Sequence, residues 1–481
     1  MNMKRSSVNS IFGITLIWIL LHLAACGGGG GNSGSTNNST SAPASSSSST
    51  SSSLASFPQA SSLPADFPTG TVDTLPVLEI TTENSAAITS KENYINATYV
   101  LTDGDVTTQG TLEIRGRGNS TWGWPKKPFR LKLTNAASLV GMSSSKHWVL
   151  LANYADKTLV RNDTAFMFSK RLGMEYTPDA KHVEVKLNGS YNGVYQLVEH
   201  IRVANNRVNI PELKVTDTTS EKISGGYLME VDFRHHVDFC KNITYSSPEC
   251  VGTVNIARDV DYCMDSTHRM NPFCVDTPET LHDNAWLPMR NYITQYFTDT
   301  EAALFGSNFA DPTTGYAAYI DVDSAVNYYI INELFKNVDG AVASFYLYKK
   351  RDGKLFFGPI WDFDLALGNA GYDDVDKTYG WHIRKATWFA RLFEDPAFVA
   401  KVKTRWQTIK EEGDLELIFQ YAQARAIWLN KAQERNFERW PIFNWTEWYT
   451  RVIMGSYDAE VNEMIRWQRA RATWMDTQLS Q

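Results

Sequence analysis

Two carboxylates two residues apart, Asp362 and Asp364, stand in the run Pro359-Ile360-Trp361-Asp362-Phe363-Asp364-Leu365-Ala366-Leu367-Gly368-Asn369, after an apolar stretch and before a glycine. Paired acids at the end of a buried strand offer the oxygen ligands that a hard divalent cation requires. Such cations share their remaining positions with substrate phosphates. A structural reading stands beside this one, in which one Asp caps a helix and the other pairs with a base. Upstream, Asn337-Val338-Asp339-Gly340 follows a helical pattern and precedes a strand. An acid in a helix-to-strand loop, then a hairpin, then an acid at the end of its second strand is the layout of a kinase catalytic loop and metal-binding aspartate. Asp339 also suits a plain Asp-Gly turn.

A third segment, Arg115-Gly116-Arg117-Gly118-Asn119-Ser120-Thr121-Trp122-Gly123-Trp124-Pro125-Lys126-Lys127-Pro128, links two strand-like runs with small residues, donors and positive charge. Glycine permits close backbone approach and Arg or Lys supplies charge-assisted hydrogen bonds, so the loop is suited to cover phosphates. A basic surface hairpin has the same composition. Other chemistries find no support: there is no H-E-x-x-H, G-x-S-x-G or G-x-G-x-x-G motif. Gly118 and Gly123 begin a phosphate-loop spacing that fails at Trp124-Pro125.

These segments need elements to position them. Strand-like text covers Val77–Ile80, Tyr94–Leu101, Thr111–Arg115 and Phe129–Leu133. The last places Phe129, Leu131 and Leu133 on one face and Arg130 and Lys132 on the other. Asp156–Gly173 suits an amphipathic helix closed by glycine, and Val183–Leu187 with Gly193–Glu199 flank an Asn188-Gly189 turn as a hairpin. Beyond residue 280 the pattern turns helical at Ala285–Ala303, Asp323–Lys336, Leu415–Phe437 and Tyr457–Met475, interrupted by the strand pair Phe345–Lys349 and Lys354–Phe357. The expected class is α+β, with a β-rich N-terminal lobe and a larger helical C-terminal lobe.

The 481 residues are 43% apolar with a formal charge of −7, which excludes a disordered polymer and offers no basic field for nucleic acid. Lys4 and Arg5 precede an apolar run, Ile11–Ala25, that ends in Leu23-Ala24-Ala25-Cys26. Residues 1–26 therefore read as a lipoprotein signal peptide whose Cys26 takes the lipid, with an uncleaved anchor as the other reading. Either places the remainder outside the cytoplasm, and Gly27 after Cys26 favours an outer-membrane lipoprotein. Residues 27–63, rich in Gly, Ser, Thr and Asn, read as a disordered tether and 64–481 as the folded body. Cys240, Cys250, Cys263 and Cys274 lack the close pairs of zinc sites. In an oxidising compartment they read as two disulfides in a loop-rich insertion at about 232–280, with Cys240–Cys250 and Cys263–Cys274 foremost of three pairings.

The motifs in this order resemble the spore coat protein H (CotH) kinase family, an atypical branch of the protein-kinase-like fold. The resemblance runs from about Leu112 to Phe398 and is carried by five blocks: the Arg115–Lys132 loop and strand; Asp156–Asn162; Asn188–Glu199; Gly225-Gly226-Tyr227-Leu228; and Trp361–Leu365. It implies phosphoryl transfer from ATP, with Mg or Mn, to Ser or Thr of envelope or secreted proteins. On this footing Asp339 takes the catalytic role, and Asp362, Asp364 and Ser344 the metal. Arg117, Asn119, Ser120, Lys127, Arg130, Lys132, Arg161 and Glu199 take the nucleotide. Family members commonly carry Asn just before the Tyr-Leu-Tyr strand, where this chain has Ala343-Ser344. A second reading is an inactive kinase-fold scaffold that binds envelope polysaccharide or protein through Trp122, Trp124, Trp440, Trp445 and Trp448, although core packing is the ordinary fate of such rings.

Overall fold

Alternating apolar residues bend the N-terminal strands around their own interior. In the computed structural model, which describes residues 55–231, 262–268, 271–446, 451 and 453–481, seven strands close a barrel. They are β1 (Val77–Thr82), β2 (Ile95–Asp103), β3 (Val106–Gly116), β4 (Phe129–Ala137), β5 (Ser145–Leu151), β6 (Ala180–Leu187) and β7 (Ser190–Glu199). The order is β1-β2-β3-β4-β5-β7-β6, and parallel pairing of β1 with β6 seals the ring. Leu78, Ile80, Leu112, Ile114, Phe129, Leu131, Leu133, Trp148, Leu150, Tyr195 and Leu197 fill it. A closed barrel goes beyond the β-rich lobe read from local patterns, because closure is made by strands about a hundred residues apart that carry no local sign of their pairing.

Period two along β4 sends Arg130 and Lys132 outward, while register sets Arg130 opposite Arg115 and Lys132 opposite Glu113. At the β6–β7 turn Asn188 and Gly189 both take positive φ, 49° and 76°, the geometry that Asn-Gly hairpins favour.

The segment expected to be helical from Asp156 forms a helix only at Arg161–Arg171. The Asp156 carboxylate explains the late start, since it accepts N–H bonds from Thr158 and Arg161, both 2.9 Å, and fixes the preceding turn in which Leu159 has φ 61°. The expected Leu415–Phe437 helix divides into Asp414–Trp428 and Asn430–Arg439. The two pieces serve different neighbours. Arg425 pairs with Asp163 of the Arg161–Arg171 helix, whereas Asn436 Oδ1 accepts the Val194 N–H of β7 at 3.0 Å.

Beyond the barrel lie helices Leu287–Phe305, Val322–Leu334, Pro396–Glu411 and Tyr457–Leu479 and a five-stranded antiparallel sheet. That sheet joins β8 (Tyr227–Val231), β9 (Tyr262–Met264), β10 (Phe273–Thr277), β11 (Phe345–Lys349) and β12 (Leu355–Phe357) in the order β12-β11-β8-β10-β9. The protein is thus α+β, β-rich at its N-terminal part and helical at its C-terminal part. The described part of the region read as a loop-rich insertion belongs to this sheet: Cys263 and Cys274 face one another across β9 and β10 and are joined in a disulfide. Cys240 and Cys250 lie outside the described residues, as do Cys26 and residues 1–54.

The packed body begins before Pro64, inside the stretch read as tether. Phe57 is 4% exposed and sits 6.2 Å from the ring of Phe419, and the Ala55 N–H bonds Thr473 Oγ1 at 3.2 Å. One aromatic in a polar run is enough to dock it. Among the described residues no helix is long and apolar enough to cross a membrane.

Candidate functional site

A cleft of about 770 Å³ brings together residues from the β3–β4 loop, β4, the Asp339 loop, the start of β11 and the Trp361–Leu365 segment. Its two walls carry opposite charge, so each is built up separately.

The acidic wall begins where the Val322–Leu334 helix ends. The carbonyl of Asp339 accepts the N–H groups of Val342 and Ala343, both at 2.9 Å. A Cβ on Gly340 would lie 2.6 Å from Asn332 Oδ1, so the Asp-Gly pair is required by close packing. The turn reading and the catalytic reading of Asp339 therefore coexist, since its side chain lines the cleft. Ser344 and Asp362 both hold left-handed backbone, φ 49° and 64°, an unfavourable state for residues other than glycine that concentrates at functional sites. Ser344 Oγ lies 3.5 Å from Asp362 Oδ2.

The Asp362–Asp364 segment is held from behind by residues of one upstream block. Asn162 Oδ1 accepts the Phe363 N–H at 2.7 Å, and Arg161 Nε donates to the Ala366 carbonyl at 3.1 Å while its Nη1 pairs with Asp156. Neither Asp362 nor Asp364 caps a helix or pairs with a base among the described residues; the buried base nearby, Arg161, is taken by Asp156. Burial, and then the carboxylates of Asp362, Asp156 and Asp339, push the Asp364 carboxyl well above the usual range. The Asp362 and Asp364 carboxyls, with no basic partner among the described residues, suit a cation. The donor set is oxygen only, as Mg or Mn requires. Among the described residues no three His, Cys, Asp or Glu side chains converge as a complete cage. Asp362, Asp364 and Ser344 would supply part of a coordination sphere, leaving positions for water and phosphate oxygens, the usual habit of Mg²⁺.

The basic wall comes from the barrel. Arg115, Arg117 and Arg130 all line the cleft, with Asn119 and Ser120 beside them. Arg117 lies over the Trp361 ring at 5.6 Å and so touches the acid-bearing segment. Gly118 has φ 80°, and a Cβ there would lie 2.1 Å from Thr121 Oγ1; at Gly116 it would lie 2.3 Å from the Trp122 ring. The glycines let the loop fold tightly at the cleft.

Four residues expected at the nucleotide lie elsewhere. Lys132 shares the outward face of β4 with Arg130 but is 46% exposed and pairs with Glu113 across the strands at 2.8 Å. Lys127 Nζ donates to the Trp122 carbonyl at 2.6 Å and stabilises the loop. Arg161 is buried and acts on the acid segment from behind. Glu199 is bound to Arg207 at 2.7 Å and accepts from Tyr176. Asp339, Ser344, Asp362, Asp364, Arg117, Asn119, Ser120 and Arg130 do meet in the cleft. Asn153, Asn162, His200, Glu230, Asp276, Tyr346 and Tyr372 join them unforeseen. Asn162 follows Arg161 in the Asp156–Asn162 block; Glu230 and Asp276 come from β8 and β10, where no motif marks them.

The described rings of the aromatic reading are packed against neighbours, as core packing predicts. Trp124 is buried, and Trp124, Trp440 and Trp445 surround the Tyr154 ring at 6.1, 6.0 and 5.1 Å. Trp122 is half-buried with Lys127 over its ring at 5.2 Å, and Trp448 lies outside the described residues.

The family model described as CotH kinase protein matches residues 114–475, most of the chain, from the end of β3 to the final helix. No curated protein matches the chain.

Proposed function

The chain belongs to the CotH kinase family, and we propose that it is an extracytoplasmic, lipid-anchored protein kinase that moves the γ-phosphoryl group of ATP to Ser or Thr hydroxyls of envelope or secreted proteins. The observation that carries this reading is the apposition, in one cleft, of guanidinium groups from Arg115, Arg117 and Arg130 with the carboxylates of Asp339, Asp362 and Asp364. A polyphosphate bridged to the acids by a cation satisfies both walls at once; few other ligands do.

In this reading the body adopts a protein-kinase-like arrangement, with the barrel in the place of the nucleotide-covering lobe. Asp339 orients the acceptor hydroxyl and takes its proton as the oxygen attacks the γ-phosphorus and the bond to ADP breaks. Bound Mg²⁺ or Mn²⁺ would neutralise the phosphate charge that grows during transfer. Asp362, Asp364 and Ser344 hold that ion, and Arg117 and Arg130 hold phosphate oxygens from the barrel side. Asn119 and Ser120 bring polar groups of the glycine-bearing loop over them. The outer-membrane placement of Cys26 and the tether rests on sequence alone.

Incubation of the purified protein with labelled ATP and Mg²⁺ or Mn²⁺, beside Asp339→Asn and Asp362→Asn, tests the proposal. Label on the protein or on an added Ser-rich acceptor, lost in both variants while their melting temperatures stay at the wild-type value, is the expected result. No label and no nucleotide-induced rise in melting temperature under either metal would overturn it.

A further inference from the structure

The barrel wall of the cleft gathers basic side chains around two histidines. Arg130 projects outward from β4, and β5 runs beside it with His147 opposite Lys132. β7 follows, with Glu199 opposite Trp148, so His200 comes next to His147, and the two rings lie 6.3 Å apart. Arg130 and His200 line the cleft. His147 stands behind them.

Three nitrogens in this group, Arg130 Nε, His147 Nδ1 and His200 Nδ1, are buried and make no hydrogen bond among the described residues. Buried polar atoms are nearly always paired, so three orphans within one cluster of side chains mark a place where a partner from outside the chain fits. The electrostatics agree in sign. After burial, the groups that act most on His147 are Arg202, Arg130, Lys132 and Lys146, and those on His200 are Arg130, His147, Arg117 and Arg202. All are basic, and together with burial they hold both imidazoles below their ordinary value. A neutral ligand would leave this repulsion in place. An anion relieves it.

We propose that Arg130 and His200, backed by His147, form a subsite for a phosphate-type dianion, with His200 as a binding residue that contacts the phosphate oxygens. A guanidinium beside an imidazole gives several convergent N–H donors, which suits the three oxygens of a phosphate monoester better than a carboxylate. The opposite wall, with Asp339, Asp362 and Asp364, repels an anion unless a cation intervenes, so a phosphate in the cleft is driven toward this side. Two sources share this chemistry: the phosphates of the nucleotide, or a phosphoryl group already carried by the acceptor. The first rests on the kinase reading; the subsite itself does not.

The test is calorimetric titration of the detergent-solubilised full chain with three probes, inorganic phosphate, ADP with Mg²⁺, and phosphoserine. Wild type is compared with His200→Gln and Arg130→Gln, and the ligand-free melting temperature serves as the control for folding. The expected result is that His200→Gln weakens at least one probe by about tenfold, the scale of one charge-assisted hydrogen bond, without lowering the melting temperature. Loss confined to ADP assigns the subsite to the nucleotide; loss confined to phosphoserine assigns it to a phosphorylated acceptor. If His200→Gln melts early, Arg130→Gln and His147→Gln take its place under the same criterion. Wild-type affinity for all three probes in the folded variants overturns the proposal. Binding of all three probes that is equal in wild type and folded variants, with phosphate transfer intact, leaves the kinase reading standing and removes the subsite. Binding of phosphate or phosphoserine without any binding of nucleotide does the reverse.

Discussion

The backbone N–H of Phe363, the residue between the two aspartates of the cleft, donates to the side-chain oxygen of Asn162 at 2.7 Å. Asn162 in turn donates from Nδ2 to Asn153 Oδ1 at 3.2 Å. A helix that starts two hundred residues upstream thus sets the angle at which Asp362 and Asp364 enter the site. Arg161 adds a second tie through the Ala366 carbonyl. The block from Asp156 to Asn162 therefore positions the segment that carries the acids.

Removing the Asn162 amide tests this positioning role. Asn162→Ala leaves the Phe363 N–H buried without an acceptor, at a cost of about 1–3 kcal/mol, readable as a lower urea midpoint. Misplacement of the acids by about 1 Å should lower the phosphoryl-transfer rate by about 100-fold. The decisive readout is the metal requirement: the Mg²⁺ concentration for half-maximal activity should rise in Asn162→Ala. An unchanged metal requirement in a merely less stable protein would reduce Asn162 to a packing residue.

Ser344 sits at φ 49° with its hydroxyl 3.5 Å from Asp362 Oδ2. Asn accepts left-handed backbone more readily than Ser and offers a carbonyl oxygen, a better ligand for a hard cation. Ser344→Asn is therefore expected to hold or raise the melting temperature and to lower the Mg²⁺ or Mn²⁺ concentration needed for transfer several-fold, whereas Ser344→Ala raises it. If all three proteins show the same metal dependence, Ser344 is no ligand.

His147 gives a pH dependence with a definite sign. Burial first, then Arg202, Arg130, Lys132 and Lys146, lower it from 6.5 to about 4. Between those values the unfolded chain binds a proton that the folded protein refuses, so acidification through this window removes stability. In His147→Gln that loss disappears. Urea unfolding of both proteins at pH 7 and at about pH 4.5 should show the variant gaining on wild type as pH falls. A constant difference across the window would mean that His147 takes up its proton as readily in the folded protein as in the unfolded chain.

How much of this could be read from the chain depends on how local each cause is. The Asn188-Gly189 hairpin, the β11–β12 pair and the outward face of Arg130 follow from a few adjacent residues, and all three appear as expected. The opposition of Asp339 to Asp362 was legible because a helix, a turn and a hairpin in succession leave few ways to arrange them. Arg161 and Glu199 lie off the cleft, which the sequence does not reveal, because their family blocks mark them without saying whether they face the cleft or the core. Only the partners Asp156 and Arg207 decide that, and each is chosen in three dimensions. Barrel closure, the docking of Phe57 and the pairing of His147 with His200 are long-range in the same sense.

The final helix, beyond the stretch where sequence alone carried the resemblance, is also part of the working body. Arg471 on the Tyr457–Leu479 helix pairs with Glu333 at 2.6 Å, both side chains 0% exposed, and donates to the carbonyls of Thr378 and Gly380 at 3.2 and 2.8 Å. Glu333 accepts the N–H groups of His382 and Arg384 at 2.8 and 2.9 Å. One buried pair therefore fastens the segment after the acids to the helix that precedes Asp339. Arg471→Met leaves Glu333 charged and alone inside the protein, a loss of about 3–5 kcal/mol. Arg471→Met with Glu333→Gln removes the stranded charge and should recover part of that loss in urea unfolding, because the glutamine carbonyl still accepts one of the two N–H groups. Phosphate transfer should stay low in both, since the Thr378 and Gly380 carbonyls lose the Arg471 guanidinium either way. Full recovery of activity in the double variant would show that only the charge balance matters and that this segment has no part in shaping the cleft.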